Sequence, residues 1–455
     1  MTSATTAAER PIAVIVLAAG RGTRMKSARA KVLHELCGTS MLGHVVATAE
    51  ALDPKRFAVV VGHGAREVEE AFRGRCEFVR QEEQRGTGHA VMQAEPKIAD
   101  FDGDVLVLYA DTPLLRPETL ERMRAEKRAR GADLLILTAE AESIPGRVLR
   151  DASGRVAQVV EKQDATAAEL AVAERNTGVY LVDAALLRAC LGKLEANNAQ
   201  GELYLTDIVR HSVGAGRAVD AILLDDAEEC LGVNSREELA HATAAMRRRI
   251  NAHWMGEGVT LIDPETTYID ACVEIGADTV IEPGCVITGP TVIGRGCRVK
   301  AHTTIESSRL DDDVDIGPSS HLRPNSHLQA GVKIGNFVEV KNAVLGPGTK
   351  AAHLTYIGDA DVGARVNFGC GSVVVNYDGI AKYRTSVGDD VFIGCNANLL
   401  SPVTLQNHCF IAAGSTIDEE VPHDALAIAR AKQRNITGWF TRREARAARK
   451  RDEES

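Results

Sequence analysis

The sequence has no CxxC pair and no cysteine or histidine spacing of the kind that holds zinc. Its ten cysteines are scattered, which argues against a disulfide framework and reads as reduced, mostly buried thiols. Long hydrophobic runs are missing too. The apolar stretch from Ile12 to Ala19 is too short to span a bilayer and reads as a buried strand. With no membrane span and no export signal visible, the chain is expected to be cytoplasmic. An excess of positive charge is also lacking. The formal net charge of −10 argues against a general nucleic-acid binder but leaves room for a local basic pocket that takes phosphate.

What is present is ordinary soluble-protein composition, 45% hydrophobic and 25% charged, in a chain of 455 residues, long enough for about two domains. In the first part, short β-rich runs (57–64, 104–111, 132–140) alternate with helix-compatible stretches such as MLGHVVATAEAL and RPETLERMRAEKRA. That alternation predicts an α/β domain with a mostly parallel, Rossmann-like sheet over residues 1–234. Ligands of such sheets sit beyond the carboxyl ends of the strands, so the loop after Ile12–Ala19 and Asp111 fall on the working edge.

A helix is expected over 235–258, joining two domains. Ser235 and Glu238 have capping-box spacing, and Leu239, Met246, Ile250 and Trp254 keep one side. From residue 259 to 455 the texture changes to a six-residue period. Ile275, Ile281, Ile287, Ile293, Val299 and Ile305 keep step; after a slip of one, so do Leu310, Ile316, Leu322, Leu328, Ile334 and Val340. Val387, Ile393, Leu399, Leu405, Ile411 and Ile417 form a third run. This is the hexapeptide pattern of a β-helix. Residues 369–386 break the period, and such interruptions tend to be functional loops.

The loop Gly20-Arg21-Gly22-Thr23-Arg24-Met25 lacks the third glycine of a dinucleotide fingerprint and the GK[ST] ending of a P-loop. Its glycines let backbone N–H groups approach a phosphate, with Arg24 and Lys31 supplying positive charge. By residue chemistry alone it is also a plain glycine turn beside two solvated cations.

The motifs together carry a resemblance. LAAGRGTRM (17–25), KVLH (31–34), QRGTGHA (84–90), YAD (109–111), NTGVY (176–180) and GVN (232–234) resemble the sugar-nucleotide pyrophosphorylases. RP (323–324), VEVKNA (338–343), HLTYIGDA (353–360) and VVNYDG (374–379) resemble hexapeptide acetyltransferases. In this order, over roughly residues 11 to 435, the chain resembles the bacterial bifunctional N-acetylglucosamine-1-phosphate uridylyltransferase/glucosamine-1-phosphate acetyltransferases. That likeness implies a left-handed parallel β-helix that associates as a homotrimer. It implies four ligands: UTP, glucosamine-1-phosphate, N-acetylglucosamine-1-phosphate and acetyl-CoA.

The resemblance also assigns residues. Leu17, Ala18, Ala19 and Gly20 would line the UTP site, where Arg24 and Lys31 meet phosphates. Gln81, Gly86 and Thr87 match the positions that read uracil. Tyr109, Ala110 and Asp111 form the next motif, and Asp111 with Asn234 would carry Mg²⁺. Gly146, Glu161 and Asn176 match those that hold the amino sugar and ribose. Taken singly, Gln81 reads as a surface strand end, Glu161 as a solvated charge and Asn176 as a turn residue. In the second domain, acetyl transfer needs a base near neutral pH. Of 13 histidines, His353 matches the family's catalytic position. Arg323 and Lys341 would bind the sugar phosphate, with Tyr356, Asn367, Asn376 and Tyr377 around the sugar. Acetyl-CoA would lie near Cys370, Asn376, Tyr377, Cys395, Ala413 and Arg430.

Some residues depart from the family. Ala110 stands where many relatives have glycine, SIPGR (143–147) is short, and Cys395 replaces an expected serine, a weaker donor in its place. The tail RREARAARKR reads as a solvated, frayed end. A single-activity pyrophosphorylase with a regulatory β-helix gives no reason for Arg323, Lys341, His353 and Asn376-Tyr377 to occur together. A non-catalytic subunit gives none for keeping Arg24, Lys31 and Asp111.

Overall fold

The computed structural model describes residues 10–453. The chain divides into two compact units, Met1–His253 with Ile269–Cys272, and Trp254–Tyr268 with Val273–Ser455.

In the first unit, Ile12–Ala18 is a strand buried along its whole length. Ile12, Val14, Val16 and Ala18 enter one core, and Ala13, Ile15, Leu17 and Ala19 enter another. Side chains alternate across a strand, so a continuous apolar run means a strand covered on both faces. Its sheet runs Val219–Leu223, Leu134–Ala139, Arg175–Asp183, Asp104–Tyr109, Ile12–Ala18, Arg56–Val61, Glu77–Arg80. Neighbours are parallel except Arg175–Asp183, which runs against both of its own. A hairpin, Gly146–Arg150 with Val156–Val160, joins the start of that reversed strand. The carboxyl ends at Ala18, Val61 and Tyr109 share one edge, the working edge expected from the pattern.

The expected helix forms over Arg236–Gly256. Its capping box is complete: Glu238 N–H donates to Ser235 Oγ (3.2 Å), and Ser235 N–H donates to Glu238 Oε2 (3.0 Å). The buried line differs from the expected one. Ala242 and Ala245 are buried with Leu36, Met41, Leu114 and Val233, while Leu239 and Met246 only flank them. Small side chains let the helix approach closely.

In the second unit every third strand pairs with the next, giving three parallel sheets of ten, nine and eight strands. This is a left-handed parallel β-helix of hexapeptide repeats. All the periodic aliphatics are buried, and they stack in register: Ile281 on Val299, Val299 on Ile316, Ile316 on Ile334. The residue two places earlier is also buried and small, as at Thr279, Cys297, Ser320 and Thr349. Several hydroxyls there donate to turn carbonyls, Thr279 to Gly294 O (2.9 Å) and Thr349 to Gly363 O (2.8 Å), whereas the buried Thr303 hydroxyl has no partner. Cys285, Cys297 and Cys409 occupy this inward slot.

Two expectations are corrected. The period does not lapse after Val340: Leu345, Ala351, Ile357, Val362, Phe368 and Val374 continue it, all buried. Five-residue steps and an alanine hide it in sequence. The break is correspondingly narrower than 369–386, because Val373–Val375 and Thr385–Val387 are strands of the coil. Residues 376–384 are the insertion. The tail is not frayed: Trp439–Glu453 is a helix with no buried residue.

Leu322 is fully buried in the coil. Leu322→Ala is expected to lower stability by about 2–5 kcal/mol, read as a lower Tm. An unchanged Tm would mean that the coil collapses around the cavity.

Candidate active sites

At the carboxyl edge of the first unit's sheet, a cavity of about 270 Å³ is lined by Leu17, Ala18, Ala19, Gly20, Lys31, Gln81, Gln84, Gly86, Thr87, Tyr109, Asp111 and Glu202, among others. A Cβ on Gly20 would meet nothing within 4 Å, so this glycine opens the cavity rather than serving packing. Gly86 is different: it sits at φ +106°, and a Cβ there would lie 2.6 Å from Leu203 O. Gln84 ties the loop down, donating from Nε2 to Ala19 O (2.6 Å).

Lys31 joins the two residues expected to carry a metal. Its Nζ donates to Asp111 Oδ2 (2.6 Å) and to Asn234 Oδ1 (3.0 Å). Sequence spacing had no way of pairing them. The fold does it through Val233, whose N–H donates to Asp111 O (2.8 Å) and whose side chain is fully buried. Glu238 adds a clamp, accepting from Asn234 N–H (2.6 Å). Two hard oxygens thus face one cationic position. Such a pair suits Mg²⁺, which takes few protein oxygens and keeps waters or phosphate oxygens for the rest.

Gln81 is buried, not a surface strand end; its Nε2 donates to Gly86 O (3.1 Å) and contacts His89 Nδ1 (3.0 Å). Asn176 is buried as well, with Nδ2 donating to Tyr180 Oη (2.7 Å) and Oδ1 accepting from Gly178 N–H (3.2 Å). Its backbone pairs with Gly146. Glu161 is not a solvated charge: burial pushes its carboxyl up, Asp164 adds to the rise, and a hydrogen bond from Thr206 opposes it. Burial also raises the Tyr109 phenol, with Glu161 adding to the rise and a hydrogen bond with Thr87 opposing it. Tyr109 lines the cavity, and its ring lies against Gly178, two residues after Asn176. Ala110 is buried behind it. Arg24 lies outside the cavity lining, exposed and with no ion pair among the described residues.

In the second unit the candidate residues gather on one edge of the coil. Arg323 donates to Glu339 Oε1 (2.8 Å). Lys341 is held below its ordinary pKa, chiefly because the Lys382 ammonium lies within hydrogen-bond reach. Two ammonium groups that close, with Arg323 near, make a receptor for a doubly charged anion. Lys382 escaped the sequence reading because it sits in the insertion, outside the period. Asp359 lies beneath them, buried. Burial raises its carboxyl, but hydrogen bonds from Asn342 and Asn376 and the charges of Lys341 and Lys382 outweigh that and hold it low. Asn376 Nδ2 also reaches Tyr356 Oη (3.4 Å). Tyr377 is exposed and spends its hydroxyl on Gly379 O (2.7 Å). Asn367 is half-buried, in register with Lys350 and Phe392.

His353 contacts Asn336 Oδ1 through Nδ1 (2.7 Å). The amide oxygen only accepts, so Nδ1 is the donor in this contact, and in the neutral imidazole that leaves the lone pair on Nε2. Asn336 is a second residue that the sequence reading missed. Asn336, His353, Cys370, Cys395 and Ala413 each stand two residues after a buried member of the period: Ile334, Ala351, Phe368, Ile393 and Ile411, which stack on one another. They form one column, and Arg430 closes it by donating to Ala413 O (2.9 Å).

Residues 14–213 match the family of MobA-like NTP transferase domains, and residues 272–307 and 384–419 match the bacterial transferase hexapeptide (six repeats). The Bifunctional protein GlmU of Trichlorobacter lovleyi is 47% identical over 450 residues, 94% of this chain and 97% of that protein. Its counterpart from Listeria welshimeri is 48% identical over 447 residues, 94% and 98% of the two chains. The chain belongs to the bifunctional GlmU family. The relative from Pelobacter propionicus, 46% identical over 452 residues, extends the match to 95% of this chain.

For a GlmU family member, the raised Glu161 carboxyl has a consequence for stability. The folded state keeps the Glu161 proton above the pH at which the unfolded chain loses it. Stability therefore falls as pH rises through the window above the ordinary carboxyl pKa of about 4.3. Glu161→Gln removes that cost, so its Tm is expected to exceed wild type at about pH 8, with the gain shrinking toward about pH 4. A Tm difference independent of pH would place Glu161 in an unperturbed environment.

Proposed function

We propose that this protein makes UDP-N-acetylglucosamine in two steps, one per unit, in the cytoplasm. The second unit acetylates glucosamine-1-phosphate with acetyl-CoA. The first then joins the UMP part of UTP to N-acetylglucosamine-1-phosphate and releases pyrophosphate. The observation that carries this is the coexistence, on separate folds, of the Lys31–Asp111–Asn234 centre and the Lys341–Lys382–His353 edge.

In the first unit all reacting groups are anionic, so catalysis rests on positioning and charge neutralisation. The sugar phosphate oxygen attacks the α-phosphorus of UTP and pyrophosphate leaves. Lys31 and Arg24 meet the phosphates, with Arg24 free to swing in from its exposed position. Gln81, Gly86 and Thr87 hold the base. Gly146, Glu161 and Asn176 hold the sugars. Mg²⁺ held by Asp111 and Asn234 supplies further charge neutralisation when bound.

In the second unit Arg323, Lys341 and Lys382 bind the sugar phosphate, with Tyr356, Asn367, Asn376 and Tyr377 around the sugar. His353 Nε2 takes the proton from the attacking amine. The amine nitrogen bonds to the thioester carbonyl carbon, and the carbon–sulfur bond breaks to release CoA. Acetyl-CoA lies along the column. At one coil per about 4.8 Å, the four steps from His353 to Arg430 span about 19 Å, which suits an extended pantetheine arm. A column open on an outer edge needs a neighbouring β-helix to wall it, and a closed homotrimer meets that need for three flat faces. An active monomer in light scattering would contradict the groove.

The two chemistries separate by mutation. Asp111→Ala is expected to abolish pyrophosphate release and leave CoA release near normal. His353→Ala is expected to lower acetyl transfer by roughly 10²–10⁴ while pyrophosphate release from supplied N-acetylglucosamine-1-phosphate continues. Equal loss of both activities in either folded variant would refute independent sites.

A further inference from the structure

One histidine stands directly behind the nucleotide-sized cavity without lining it. His89 lies on the helix Thr87–Ala94, half-buried, and reaches the cavity only through Gln81. Gln81 Nε2 carries two protons, and both are engaged. One goes to Gly86 O (3.1 Å) and the other to His89 Nδ1 (3.0 Å). A carbonyl oxygen only accepts, so Gly86 fixes which end of the Gln81 amide points its way. His89 must then accept at Nδ1, and in the neutral imidazole that puts the ring proton on Nε2. His89 Nε2 lies 3.2 Å from the amide end of Gln93, one helical turn on. An amide turns end for end without changing shape, so Gln93 meets that proton with its oxygen.

Gln81 Oε1 is left over: nothing among the described residues donates to it. Gly86 and Thr87 line the cavity with Gln81, and their backbone N–H groups have no acceptor among the described residues. The wall therefore offers one acceptor beside two donors. The imide edge of uracil, an N–H between two carbonyls, is its complement. Cytosine is not, because its N3 is itself an acceptor and would meet Oε1 lone pair to lone pair.

We propose that His89 is a positioning residue for base choice: by accepting from Gln81 it keeps Oε1 turned to the cavity, which takes the N3–H of uracil and refuses the N3 lone pair of cytosine. This rests on the reading of the cavity as the UTP site. Without the ring acceptor, one amide proton has no partner and Gly86 O alone holds the orientation. The turned amide, which presents its NH₂ to the base, then becomes populated. The base is remote from the reacting α-phosphorus, so the loss falls on KM rather than on kcat.

The test follows pyrophosphate release by the full-length protein from N-acetylglucosamine-1-phosphate with UTP, CTP and N3-methyl-UTP. Wild type is compared with His89→Phe, which keeps a ring but no acceptor, and with His89→Asn, whose Oδ1 stands near the place of Nδ1. Wild type is expected to prefer UTP to both analogues in kcat/KM. His89→Phe is expected to lose roughly three- to tenfold of each preference, the worth of about one neutral hydrogen bond, with KM for UTP raised and kcat near wild type. His89→Asn restores the preference. Wild-type preferences in His89→Phe would overturn the proposal. So would an equal slowing with all three triphosphates, or a His89→Asn no better than His89→Phe.

Where His89→Phe does not fold, wild type itself decides. Side-chain ¹⁵N spectra at about pH 8, above the ordinary imidazole pKa of about 6.5, are expected to show His89 bare at Nδ1 and protonated at Nε2, the signal being identified by its loss in His89→Asn. A protonated Nδ1 would overturn the proposal. Failure of the UTP reading looks different: a wild type that releases no pyrophosphate from UTP, or a Gln81→Ala variant with an unchanged preference for UTP over CTP, would take the base away from this wall and the proposal with it.

Discussion

One buried aliphatic per face sets the register of the β-helix, and most of the second unit's chemistry follows from it. Ile334, Ala351, Phe368, Ile393 and Ile411 stack because each must leave water. The residues two places on then have no choice of neighbour. Asn336 lies beside His353, and Cys370 beside Cys395. The irregular steps are as informative as the regular ones. The coil absorbs residues 376–384 as an outward loop without losing register, since Thr385–Val387 returns to pair with Ala360–Val362. Arg384 anchors the return, reaching Asn342 O (3.0 Å) as well as Asp361. The loop carries Asn376 and Lys382 back over Asp359.

The first unit meets the same need by different means. Its site is assembled from the ends of several strands and from the start of a helix that begins more than a hundred residues after Asp111. The buried Val233 and the Glu238 cap bring Asn234 to Lys31. The helix that links the domains along the chain is thus also part of the Lys31–Asp111–Asn234 cluster. Its N-terminal turn holds Asn234 in place, while Ala242 and Ala245 carry packing.

Electrostatics runs in opposite directions in the two sites. In the first, a cation is already paired: Lys31 is nearly buried and satisfied by Asp111 and Asn234. Any ion that binds there must compete for those contacts. In the second, Lys341 and Lys382 oppose each other. An anion between them relieves a repulsion instead of breaking a bond. Any anion bound there therefore gains from a site strained in charge before it arrives.

By itself the sequence determined the two-domain order, the doubly covered strand at Ile12–Ala18, the capping box at Ser235 and Glu238, and the hexapeptide coil. These are local or periodic, and local pattern reports which faces leave water. The motifs also marked His353, Lys31, Asp111 and Asn234. Tertiary structure alone decided what those residues do to one another. Asp111 and Asn234 meet because Val233 is buried, a long-range contact with no periodic signature. Gln81 and Glu161, ordinary surface residues when read singly, are drawn inward by the segments that fold over them. Lys382 and Asn336 joined the sites through the insertion and through register. The hidden turns from Leu345 to Val374 needed the coil itself, because a five-residue step breaks a periodic count in sequence but not a stack of strands in space.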